Sequence, residues 1–419
     1  MNMDQKKTKG NLVAIIAMFF LFAMISFVTN LASPMGDILK NQFSIPNWQG
    51  TLGVFANFIA YAVMGIPSGA LLAKLGYKKT ALLAIAIGFI GVGIQTLSGV
   101  AESFAVYLLG AFVAGFSMCM LNTVVNPMLN TLGGGGNRGN QLIQLGGSCN
   151  SLSATIVPVL AGYLIGEVTE NTQVADVNAA LFIAMGIFAL AFVIIFFSAI
   201  PEPELEAAAA AGEQKEGTME SIKGAVSHKN LVFGVIAIFL YVGIEVGIPN
   251  MANLYMTSAD GLGMAAGVAG TLVGAYWFLM LCGRLIGGAV GGKVSSRTMM
   301  TAVSSAAIVF ILLGMFLPKT FTMSLLGAEV PVGILFFVVC GLCTSIMWGA
   351  IFNLAVEGLG RYTSIASGLF MVMVCGGGIL PLVQGAVADV AGYINSYWVL
   401  IAALVYTLWF ALSGSKTNK

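Results

Sequence analysis

The stretch Gly69-Ala-Leu-Leu-Ala-Lys-Leu-Gly-Tyr-Lys-Lys, residues 69–79, returns in outline as Gly288-Ala-Val-Gly-Gly-Lys-Val-Ser-Ser-Arg-Thr, residues 288–298. Each copy ends a long apolar run with small residues, a lysine and a polar turn. A second pair, Val157-Pro-Val-Leu-Ala-Gly and Leu380-Pro-Leu-Val-Gln-Gly, keeps the same offset of about 220 residues, and self-similarity at a fixed offset marks a duplicated unit. The chain therefore reads as two related halves.

The runs between these marks set the solvent of the protein. Of 419 residues, 58% are hydrophobic and 8% charged, with a mean hydropathy of +0.95, whereas soluble domains carry about 25% charged residues. An ordinary cytosolic enzyme is excluded. A net charge of +1 argues against a nucleic-acid partner, which would need a basic patch. The single histidine, His228, removes most zinc, haem and imidazole acid–base chemistry, so no cofactor or metal is implied. Six cysteines lie inside apolar runs, and the Cys340/Cys343 pair lacks the further ligands of a tetrahedral site.

A helix needs about 20 apolar residues to cross a bilayer with its backbone groups satisfied internally. Twelve segments reach that length: 12–33, 49–73, 80–99, 104–130, 141–166, 179–199, 231–256, 264–287, 299–317, 331–354, 364–388 and 396–413. The prediction is an all-α integral membrane protein with twelve transmembrane helices in two pseudo-symmetric six-helix bundles, 1–200 and 231–419. A charged connector, 201–230, joins them. Lysine and arginine favour the cytoplasmic side. Placing both termini there puts Lys6, Lys78, Lys79, Arg138, Lys223, Lys293, Arg297 and Arg361 inside, and leaves Lys40 and Lys319 outside. Arg284, near the inner end of the eighth span, is expected to snorkel. The location implied is the cytoplasmic membrane, with lipid as a partner.

A carboxylate in the middle of a span costs about 2.5–3.5 kcal/mol on insertion scales and is a functional candidate by default. Glu245 in the seventh span is such a residue, against the alternative of a structural, protonated carboxyl. Tyr241 lies one turn before it, while Pro249, Asn250 and Asn253 follow. In the fourth span Asn122, Asn126 and Asn130 are spaced by four and share one helix face; Asn150 in the fifth adds another amide. Amides both donate and accept, which suits a neutral polyol, with interhelical hydrogen bonding as the alternative; Asn130, near the cytoplasmic end, is not counted among the ligands. Trp277 and Trp348 each offer a flat face to a sugar ring, and Tyr276, Asn353 and Gln384 are weaker candidates. Gly134, Gly136 and Gly139 satisfy G-x-G-x-x-G formally, but no strand precedes them, so they read as a loop. The pairs Gly65/Gly69, Gly243/Gly247, Gly270/Gly274 and Gly283/Gly287 are small-xxx-small contacts for close helix approach.

Six-span parallel repeats resemble the major facilitator transporters. The loop at residues 69–79 is similar to their signature between the second and third helices, with Ala73 where an aspartate is usual. Asn126-Pro127, Cys149-Asn-Ser-Leu, Tyr241-Val-Gly-Ile-Glu-Val, Gly283-Arg-Leu-Ile-Gly, Ser345-Ile-Met-Trp, Gly358-Leu-Gly and the run Cys375-Gly-Gly-Gly-Ile-Leu-Pro-Leu-Val-Gln-Gly-Ala-Val-Ala-Asp together resemble the fucose/galactose/glucose:proton symporter family. The resemblance implies an aromatic sugar contact at Trp348. It also implies coupling carboxylates late in the first helix and in the fourth. Here Asn30-Leu-Ala-Ser puts Ser33 at the first position, and Asn122 stands at the second. Asp37 is the nearest substitute for the first, and Asn30 joins the solute ligands. Coupling then rests on Glu245, on a sodium site of carbonyls and amides, or is absent. The reading is an alternating-access carrier for a small neutral sugar, with proton or sodium as coupling ion. Its alternatives are a carrier or exporter of another solute, or a solute sensor that moves nothing.

Overall fold

The computed structural model describes residues 3–31, 42, 52–165, 177–202, 205–206, 217–325 and 327–416. Ser33, Asp37 and the alanine run 207–211 lie outside these residues. The helices are α1 (Met3–Leu31), α2 (Leu52–Val100), α3 (Phe104–Leu132), α4 (Gly136–Ile165), α5 (Asn178–Phe197), α6 (Thr218–Val226), α7 (Lys229–Thr257), α8 (Ala266–Gly291) and α9 (Ser296–Phe316). After a short antiparallel hairpin, β1 (Thr322–Leu325) and β2 (Ala328–Pro331), come α10 (Val332–Ala355), α11 (Thr363–Met373), α12 (Gly376–Ala391) and α13 (Tyr397–Trp409).

Among the described residues, ten helices are long and apolar enough to cross a membrane. One of them, Ala56–Val100, is too long for a single crossing, and Gly76 (φ 81°, ψ 178°) breaks it into two limbs. The 30-residue α4 also has spanning length but opens on the polar sequence Gly136-Asn-Arg-Gly-Asn-Gln. Counting both limbs of α2 and adding α4 on length, the described residues hold twelve stretches of membrane length, the number expected. The eleventh span differs in detail: it is split into α11 and α12 around Cys375, where three successive glycines follow. A Cβ on Gly376 would collide with the carbonyl of Phe239, so this break brings α12 against the backbone of α7. Gly136 and Gly139 belong to α4 rather than to a loop, and the connector contains the helix α6.

The two copies of the repeat each lead into a capped helix, but by different means. Ser295 caps α9, its hydroxyl accepting from the Thr298 N–H at 3.1 Å. Its counterpart Gly76 has no side chain. The second limb of α2 is capped instead by Glu202, whose carboxylate accepts from the N–H groups of Tyr77 (2.7 Å) and Lys78 (2.9 Å).

Contacts divide the chain into two compact units. The first contains Met1–Leu132, Cys149–Ala225 and Leu359–Val372; the second contains Gly133–Ser148, Val226–Gly358 and Met373–Lys419. Within the first unit α11 lies on α2, where a Cβ on Gly69 would sit 3.0 Å from the Gly368 Cα. Within the second unit Gln141 donates to the Gly288 carbonyl (3.0 Å) and Gln144 to that of Ile346 (2.7 Å), fixing the start of α4 on α8 and α10. Asn230 caps the far end of α10 by donating to the carbonyls of Ala355 (3.0 Å) and Glu357 (2.9 Å). Gly65, Gly69, Gly243, Gly247, Gly283 and Gly287 all meet a neighbouring helix, as expected, but Gly270 and Gly274 face open space among the described residues.

Two helix prolines expose carbonyls that other helices then satisfy. A proline offers no N–H to the residue four positions earlier. Pro127 thereby frees the Thr123 carbonyl, to which Ser367 of α11 donates at 3.0 Å. Pro249 frees the Glu245 carbonyl, to which Tyr276 of α8 donates at 3.0 Å.

Candidate functional site

Each unit carries its own polar cluster inside an apolar bundle. In the second, Glu245 on α7 and Arg284 on α8 form an ion pair, Oε1 to Nη2, at 3.7 Å, with side chains only 16% and 13% exposed. Arg284 does not snorkel. A carboxylate buried without compensation is costly, and the one guanidinium inside a predicted span meets the one carboxylate. Arg284 also donates to the Gly147 carbonyl at 3.0 Å. Tyr241, fully buried, is close enough to interact with both charges yet forms no hydrogen bond of good geometry among the described residues. Its ring lies 6.2 Å from that of Trp348 on α10. Tyr276 closes the cluster from α8, in contact with Thr344 at 3.0 Å as well as with the Glu245 carbonyl.

In the first unit Asn122 donates to the Tyr61 hydroxyl at 2.8 Å and to the Met118 carbonyl at 3.1 Å. Asn126, fully buried, donates to the Asn122 carbonyl at 2.9 Å. Asn150 donates from α4 to the Phe22 carbonyl on α1 at 3.1 Å. Asn122 and Asn150 are both half-buried, and their side-chain oxygens accept no hydrogen bond among the described residues.

Other expected ligands lie elsewhere. Asn30 turns its amide back onto Ser26 of its own helix. Asn250 is exposed and stands about 140° around α7 from Glu245 at 3.6 residues per turn. Asn353 ties the end of α10 to Ser296 at the start of α9 (2.8 Å). Gln384 is fully buried and neither amide atom has a partner among the described residues, but it packs against Gly247, on the opposite side of α7 from Glu245. Trp277 is 39% exposed and stands edge-on to Tyr276 rather than to the ion pair. Two further residues join these clusters. Arg284 is legible in the sequence as the lone basic residue within a predicted span; Tyr61 carries no signal beyond its residue type.

The family model of the Major Facilitator Superfamily matches residues 15–382. A glucose/galactose transporter of Brucella abortus is 29% identical over 408 residues, covering 96% of this chain and 94% of the relative. The L-fucose-proton symporter of Escherichia coli is 24% identical over 436 residues, covering 98% and 96%. Among solved structures, a transporter described as FucP in the outward conformation superposes with a TM-score of 0.80 at 22% identity, over 96% of this chain and 100% of that one.

Proposed function

Because this chain belongs to the Major Facilitator Superfamily, we propose that it is a secondary carrier moving a hexose-like sugar by alternating access in symport with a proton. It is a transporter, not an enzyme. The relatives named for glucose, galactose and L-fucose support the sugar, and the one named as a proton symporter supports the ion.

The observation that carries the coupling is the buried Glu245–Arg284 pair at 3.7 Å. Protonating Glu245 removes its charge and its hold on Arg284. The guanidinium can then turn the hydrogen bonding it gave Glu245 to sugar hydroxyls, and loss of the proton restores the pair and expels the sugar. In the second unit Trp348 and Tyr241 offer an aromatic surface, and in the first unit Asn122 and Asn150 offer hydroxyl acceptors. Departures from the family pattern at Ser33 and Asn122 concentrate the proton's role on Glu245. The protein sits in the cytoplasmic membrane with both termini and the 201–230 connector inside, and 1–200 and 231–419 act as the two bundles.

Proteoliposome uptake of radiolabelled D-glucose and D-galactose under an imposed pH gradient tests this. The wild type accumulates sugar above equilibrium. Glu245→Gln retains sugar exchange but loses accumulation. Accumulation by Glu245→Gln equal to that of the wild type overturns the coupling role, and accumulation driven by a sodium gradient alone replaces the proton with sodium.

A further inference from the structure

The second unit holds a cavity of about 480 Å³ at the C-terminal end of α7. It is bordered by the end of α7, the β1–β2 hairpin region and the turn between α12 and α13. Tyr255, Asp260, Lys319, Asp389, Tyr393 and Asn395 line it. Tyr255 is ten residues beyond Glu245, a rise of about 15 Å along α7, so the cavity is separate from the ion pair.

Its chemistry is specific. The Tyr255 and Tyr393 rings lie 6.0 Å apart and tilted by 43°. Tyr393 donates its hydroxyl to Asp260 at 3.3 Å, and the Lys319 ammonium stands 5.2 Å above the Tyr255 ring. Asp389 has no hydrogen-bond or ion-pair partner among the described residues. Carboxylates accept, an ammonium donates and an amide does both, so the wall matches hydroxyl groups, each of which is donor and acceptor. An anion would meet two carboxylates, and an organic cation would find the Tyr255 face already taken by Lys319. A neutral polyol avoids both conflicts. The volume falls within the range of about 300–1,000 Å³ typical of small-molecule pockets.

We propose that this cavity is a second sugar site, a loading pocket that binds a neutral monosaccharide at the end of the second unit, apart from the Glu245 cluster. The ligand class rests on the transport reading above; the cavity does not.

Acetylation of Lys319 in the purified full-length protein, followed by mass spectrometry, reads the site directly. D-galactose at twice its dissociation constant is expected to slow Lys319 acetylation about threefold by mass action, with Lys293 unaffected. Protection is expected to persist in Glu245→Gln and to be lost in Asp389→Asn and Asn395→Ala. Equilibrium dialysis with radiolabelled D-galactose on the same samples separates the outcomes. If galactose binds while Lys319 reacts at its unprotected rate, the loading pocket is overturned and the transport reading stands. If choline protects Lys319 and galactose does not, the cavity is a cation site and the proposal is overturned. If no galactose binds to the protein at all, the transport reading falls and takes this assignment with it.

Discussion

Tyr276 donates its hydroxyl, at 3.0 Å, to the backbone carbonyl of Glu245, the acceptor that Pro249 leaves without a partner in its own helix. The proline that opens α7 and the tyrosine that closes the gap act as one device beside the ion pair. Tyr276→Phe is expected to cost about 1–3 kcal/mol, the penalty of a buried unsatisfied carbonyl. In a Pro249→Ala background residue 249 regains an N–H, so the same substitution is expected to cost less than half as much. Thermal unfolding of the four proteins in detergent gives the double-mutant cycle; equal costs in both backgrounds would refute the coupling.

Removing one partner of a buried ion pair leaves the other uncompensated. Arg284→Ala is therefore expected to lower stability by about 3–5 kcal/mol. Combining Arg284→Gln with Glu245→Gln removes both charges and is expected to recover most of that loss. Denaturation midpoints check this, and a double variant as unstable as Arg284→Ala counts against the pairing.

Asn122 is placed as a direct sugar ligand and Tyr61 as its support. Asn122→Leu is expected to raise the KM for sugar about tenfold, equivalent to about 1.4 kcal/mol. Tyr61→Phe, which removes only the acceptor at 2.8 Å, is expected to have a smaller effect of the same sign. Asn353, tied to Ser296, is expected to leave KM unchanged when replaced by alanine. Initial rates of uptake distinguish the three.

Glu202 is the titratable part of the α2 turn. Burial pushes its carboxyl above the ordinary value, opposed by the Lys78 and Tyr77 N–H groups. A folded-state value above the unfolded one means that the native protein holds this proton longer. The contribution is thus most favourable at low pH and declines as pH climbs from the unfolded value of about 4.3 through the raised one. Glu202→Gln is expected to flatten that part of the stability profile. Glu202→Ala, which also loses the cap, is expected to cost about 0.5–2 kcal/mol at every pH. Melting curves from pH 4 to pH 8, about the carboxylate window, show whether the slope disappears.

Much of this architecture is legible in the residues. Apolar length gives the crossings, and the Gly69 and Gly288 segments give the duplication. Glu245 announces itself because charge in hydrocarbon is expensive. What the sequence hid depends on side-chain direction and long-range pairing. Asn250 and Gln384 have the right chemistry at the right depth, yet one is rotated around α7 and the other packs on its far side at Gly247. Asn30 spends its donors on Ser26 one turn back, a local solution that composition does not disclose. Arg284 was placed by its height along the helix alone, whereas the buried Glu245 charge determines where its guanidinium lies.

The unequal caps of the two repeats bear on how the chain is made. Ser295 and Thr298 leave the ribosome almost together, so the turn into α9 can close as soon as it is synthesised. The matching turn at Gly76 waits for a carboxylate 125 residues downstream of Tyr77. At about 5–20 residues per second, that is a delay on the order of 6–25 s. The second limb of α2 therefore lacks its carboxylate cap until the segment that follows α5 has been synthesised.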